Sequence, residues 1–217
     1  MDLGRAFSYV FEDEDWVSKV LLTAVIGLIP IVNFALFGWM IELMENVVAG
    51  EEHPMPAWDN FGDKFTAGLM YFIASVVYNI PLLLMICVLA GVGALTQTRG
   101  GEVIGVVVGC GVGGLSVVYT VAALAVLFAG MARYTQEREL STLFQFGENL
   151  RLAQENLSTL VTLALYLILT GVLFSLFGWI PCIGWLAAVA LGTPVYGHLL
   201  GQAAQQMLGK RKRGGLV

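Results

Sequence analysis

Three stretches of this chain stay almost free of charge for long enough to cross a bilayer, and each is introduced by a shorter stretch where apolar and charged residues separate at helical spacing. Leu3, Phe7, Val10 and Phe11 fall on one side of a helix, with Arg5, Glu12 and Asp13 elsewhere. Phe61, Phe65 and Leu69 repeat every four residues among Asp59, Asp63 and Lys64. Leu140, Phe144 and Leu150 alternate with Glu148, Arg151 and Glu155. A helix with such a face lies in the membrane–water interface. The pattern predicts a threefold module, each an interfacial helix followed by a membrane hairpin.

About 20 apolar residues cross the hydrocarbon core, which makes 157–179 and 183–207 two spans joined tightly at Ile180-Pro181. Residues 66–95 and 103–133 form a second pair around the polar connection 96–102. The first zone, 17–48, reads as one long tilted helix or as a hairpin broken around Gly27 and Pro30, because proline removes a backbone donor and clashes with the preceding turn. Charge favours the hairpin. Six segments place ten of the eleven Lys and Arg residues on one side, with only Arg99 opposite, whereas a single helix splits them eight to three. The expected architecture is an all-α polytopic bundle of five to six membrane segments, the first hairpin broken at Pro30 and short enough to be re-entrant. Residues 1–209 form one domain and 210–217 a basic tail, with both termini on the cytoplasmic face. The Ile-Pro step at 29–30, 80–81 and 180–181 hints at an internal duplication.

Composition agrees with a membrane location: 58% of the 217 residues are hydrophobic and 12% charged, against about 25% charged in soluble domains. A net charge of -5, with a single four-residue basic cluster at Lys210 to Arg213, argues against a nucleic-acid partner. Cys87, Cys110 and Cys182 lie in separate apolar stretches without CxxC spacing, so neither a disulfide framework nor a metal site is expected, and no cofactor. The acidic opening around Glu12 to Asp15 is unlike a cleavable signal peptide; insertion is expected to use the membrane segments themselves.

Glycine supplies the strongest local signal. Gly101, Gly105, Gly109 and Gly113 recur every four residues, the last three in the uncharged run 103–132, and such a face lets a second helix approach closely. It is expected to pack against a second copy of the chain. Residues 109–114 also match G-x-G-x-x-G, but the apolar run continues where a dinucleotide fold needs a further strand and an acidic residue. Among polar residues, Glu42 and Glu45 stand near the end of the first zone, where the interface can hydrate them. Glu42, Asn79, Tyr119, His198 and Gln202 are the candidates for a polar pathway or a lipid-headgroup site. His198, Gln202 and Gln205 share a face that is equally suited to helix–helix hydrogen bonds. The loop around Pro56, Trp58 and Asp59 is a candidate docking segment, its bland reading being an interfacial Trp and a helix cap.

Several short strings carry a resemblance: 7–19 leading into Ile29-Pro30-Ile31-Val32-Asn33-Phe34, Gly50-Glu51-Glu52 followed by Pro56-Ala57-Trp58-Asp59-Asn60-Phe61, Phe146-Gly147-Glu148 with Arg151-Leu152, and His198-Leu199-Leu200-Gly201-Gln202. Through them nearly the whole chain resembles an uncharacterised family of prokaryotic polytopic membrane proteins catalogued as a domain of unknown function. The resemblance implies an integral protein of a prokaryotic cytoplasmic membrane and brings no activity. The functional expectation is a non-enzymatic, self-packing scaffold or subunit of a larger membrane assembly whose interfacial helices engage lipids. The alternative is a small-solute or ion transporter or channel. An intramembrane enzyme ranks last, since no nucleophile, base and metal constellation is visible.

Overall fold

The computed structural model describes residues 1–96, 102–180 and 183–214, and all regular structure among them is helical. Arg99, Gly101, most of the 96–102 connection, Pro181 and Cys182 lie outside the described residues. Helix α1, Leu3–Glu12, opens on Asp2, whose carboxylate accepts the Arg5 amide at 3.0 Å, a side-chain cap on an otherwise orphaned donor. Its far end is tied back by Arg5 and Glu12, 2.6 Å apart. Helix α2, Trp16–Leu28, stops before Pro30, and α3, Phe34–Ala49, ends on Gly50 in the left-handed region at φ 82°. The expected break at Pro30 is present. Ile31 carries it with a φ of 72°, a region that a β-branched side chain resists.

Helix α4, Phe61–Leu95, and α5, Glu102–Glu137, form a long antiparallel pair. A 3-10 turn, Leu140–Phe144, leads to the amphipathic helix α6, Phe146–Glu155. Helix α7, Leu157–Ser175, continues into a 3-10 turn, Leu176–Trp179, and α8 covers Ile183–Gly214. The second module corrects the threefold pattern: its amphipathic stretch is the first turns of α4, not a separate interfacial helix. No proline or turn interrupts residues 61–69, so the helix runs on unbroken, and Phe65 stacks with Phe61 and meets Phe34 of α3. Nor does Asp59 or Asp63 cap it, since the N-cap is Asn60 and makes no side-chain bond.

Among the described residues, three helices, α4, α5 and α7, are long and apolar enough to cross a membrane. The 13 residues of α2 reach only about 20 Å, short of a core of about 30 Å. Helix α3, 16 residues long, is largely enclosed, with Trp39, Leu43 and Met44 at 1% exposure or less. Helix α8 runs through the centre, packed on α3, α7, α2 and α1.

Glycine permits close approach at two helix crossings. A Cβ on Gly38 of α3 would strike the Lys64 carbonyl of α4, and one on Gly68 of α4 would strike the Phe34 carbonyl of α3. Between α8 and α3, Gly197 and Gly201 stand four apart, where added Cβ atoms would sit 2.7 Å from Leu43 Cδ2 and 2.7 Å from Val47 Cβ. In hydrocarbon, where apolar burial gives helices no net drive to associate, this close backbone contact holds them together.

Candidate functional site

Polar residues gather where α1, the 50–60 loop, α6 and the second half of α8 meet the ends of α3, α4 and α5. Gln202 of α8 bonds the Asp2 backbone twice and lies 3.0 Å from His198 Nδ1. The Tyr9 ring stacks on His198 at 4.3 Å, and its hydroxyl donates to the Pro194 carbonyl at 2.9 Å. Burial, reinforced by the Arg5 charge and only partly offset by Asp2, brings the His198 pKa down from 6.5 to about 4. Burial beside Asp13 pushes the Tyr9 hydroxyl well above its ordinary value. Both groups are therefore neutral at pH 7, and Gln205 donates to the Val47 carbonyl at 3.1 Å.

Two cations that the sequence reading did not single out are almost fully enclosed. Lys64 is 2% exposed, and its ammonium meets Glu42 at 2.8 Å, the Asp59 carboxylate at 3.2 Å and the Asp59 carbonyl at 2.8 Å, one partner for each proton. Arg133, at the end of α5, donates to Asn149 Oδ1 at 3.1 Å and Gln145 Oε1 at 2.8 Å and pairs with Glu137 at 3.3 Å. Asn149, fully buried, donates in turn to the Thr142 carbonyl at 2.9 Å, and Tyr78 of α4 donates to the Leu143 carbonyl at 3.0 Å. This network staples the 3-10 turn and α6 onto α4 and α5. A lone charged residue at a helix end carries no periodic signal, which is why pattern alone passes over it.

The five pathway candidates fall in separate places. Glu42 is held by Lys64, Asn79 donates to the Ser75 carbonyl of its own helix at 2.7 Å, and Tyr119 donates to the Tyr78 carbonyl at 2.7 Å. Only His198 and Gln202 meet. Burial pushes the Glu45 carboxyl up, against the pull of Arg138, which pairs with it. The 50–60 loop is folded inward: Trp39 Nε1 donates to the Pro56 carbonyl at 3.0 Å, Trp58 Nε1 to the Lys19 carbonyl at 3.1 Å, and the two indoles stack at 5.8 Å. Pro56 is buried, while Asp59 is exposed and engaged with Lys64. Below it, Lys19 pairs with Asp13 at 2.6 Å.

The glycine face of α5 is arranged otherwise. An added Cβ at Gly105 would stand 3.0 Å from Thr96 of α4, but at Gly109 and Gly113 it would meet nothing within 4 Å. Gly101 lies outside the described residues. The far halves of α4 and α5 expose Leu83, Leu84, Val106, Val107, Val117 and Val118, an apolar surface that only a membrane or a partner can cover.

With this architecture in view, the match of residues 21–183 to the profile of a protein of unknown function, DUF4013, is decisive. The chain belongs to the DUF4013 family. No curated protein and no solved structure matches it. The matched region runs from α2 to the start of α8 and includes the α3–α4 crossing, the Lys64 cluster, the Arg133 network and the glycine face of α5. Among the described residues no group of His, Cys, Asp and Glu is placed to hold a metal. This DUF4013 protein is an all-helical membrane protein.

Proposed function

We propose that this DUF4013 protein is a non-enzymatic membrane subunit that packs with copies of itself through the glycine face of α5. One observation carries the reading: an added Cβ would strike a neighbouring helix at the α3–α4 and α3–α8 glycines, whereas at half-buried Gly109 and Gly113 it would meet nothing within 4 Å, and Gly109 lines a cleft beside Leu89, Val92 and Gly93 of α4 that a further helix can fill. Open glycine on a membrane helix is useful where another backbone comes close, because lipid gains nothing from the missing side chain. The interfacial helices α1 and α6 hold the assembly at the membrane surface, on the cytoplasmic side according to the positive-inside rule. The Asp2–Gln202 bonds, which bring the N-terminus beside α8, agree with termini on one face. Against a solute pathway stand the dispersal of its candidate residues and their local hydrogen bonds.

The test is the assembled mass in mild detergent, measured by light scattering for the wild type and for Gly109→Leu combined with Gly113→Leu. The double variant should insert and fold like the wild type and run at monomer mass. Wild-type protein that is itself monomeric in native lipid nanodiscs would end the proposal.

A further inference from the structure

We infer that the cleft between α5 and α7 holds one acyl chain of a membrane lipid, admitted sideways from the leaflet that borders α6. The two helices do not pack as a pair: α5 rests on α4 and α6, and α7 on α8. Between them lies a cleft of about 460 Å³, within the ordinary range of ligand pockets, with Tyr71 the one lining residue that carries a polar side-chain atom. Its floor is Phe37 and Met40 of α3 with Leu200 of α8.

Its length matches one leaflet. The wall on α5 extends from Met131 to Val121 and the wall on α7 from Leu157 to Leu167. Ten residues of helix on each side give about 15 Å, half of a hydrocarbon core of about 30 Å. One end is polar in both walls: Arg133 follows Met131 by two residues, and Asn156 immediately precedes Leu157. A chain whose headgroup sits at that end finds apolar contact down to the bilayer midplane. Left without an occupant, the walls would forgo dispersion contact on one side.

The inference does not depend on self-association, and its test reads lipid directly. Wild-type protein is reconstituted in phosphatidylcholine–phosphatidylglycerol liposomes containing a phospholipid with a diazirine at mid-chain, irradiated, digested and mapped by mass spectrometry. Adducts are expected on Met40 and Leu200, which belong to the floor, as well as on the outward-facing Leu165 and Ile168. Ala164→Phe, placing a ring in the cleft, should lose the floor adducts and keep the outward ones; Ala125→Leu, a gentler filling, should reduce them in the same direction. Wild-type labelling confined to Leu165 and Ile168, floor labelling unchanged by both variants, or cross-links between cleft residues of two copies would each overturn the inference.

Discussion

Gln202 holds Asp2 by both polar groups of its backbone: its amide oxygen accepts the Asp2 N–H, and its Nε2 donates to the Asp2 carbonyl at 2.8 Å. The contact spans nearly the whole chain and closes α1 onto α8. Gln202→Leu hands both Asp2 groups over to water, since Asp2 is exposed. Thermal unfolding in detergent should show a loss of about 1 kcal/mol, accompanied by faster proteolysis ahead of α1.

The neighbouring His198 makes stability depend on pH. Its folded pKa, about 4, lies below the unfolded 6.5, so its contribution is complete above pH 6.5 and is lost as pH falls towards 4. The full loss is about 3 kcal/mol, with roughly 2 kcal/mol of it incurred by pH 5. Geometry supplies part of the cause, since protonating Nδ1 sets it against the Gln202 amide. Melting curves between pH 7 and 5 should fall for the wild type and stay nearly level for His198→Gln.

Lys64 and its carboxylates should respond unequally. Glu42 and Asp59 have side-chain exposures of 36% and 65%, so water can replace the ammonium, whereas Lys64 at 2% has no such recourse. Lys64→Met should therefore cost little, about 1 kcal/mol. Glu42→Gln with Asp59→Asn, which strands the buried cation, should cost about 3–5 kcal/mol by chemical denaturation in detergent.

Glycines of the same chain should also differ. Gly38→Ala drives a methyl group into the Lys64 carbonyl and should cost several kcal/mol, about 3 or more, or abolish monodisperse expression. Gly109→Ala meets open space, so monomer stability should hold or rise slightly, by up to about 1 kcal/mol, as helix propensity favours alanine.

These contrasts mark what pattern could reveal. The amphipathic α1 and α6, the stop before Pro30 and the long apolar helices follow from local rules, because amphipathic spacing, proline and run length act within a few residues. Continuity of α4 through Phe65 did not follow, because amphipathic spacing looks the same in a short surface helix and in the first turns of a long one. The α3–α4 crossing was equally hidden: one glycine from each helix suffices, and neither Gly38 nor Gly68 belongs to a repeat. The Gly105–Gly113 spacing was visible, but sequence alone could not tell that Gly105 faces Thr96 while Gly109 and Gly113 remain open. The 50–60 loop announced its Pro and Trp residues, yet its inward fold depends on Trp39 and Lys19, distant in sequence.

Self-packing through α5 is tested most directly by oxidative cross-linking in native membranes, with the three natural cysteines replaced and one cysteine restored at a time. Gly113→Cys should form a dimer that disappears when Gly109→Leu is added, while Val107→Cys, on the other side of the same helix and 66% exposed, should form none. Equal cross-linking at positions 113 and 107, or none at 113, would contradict the account.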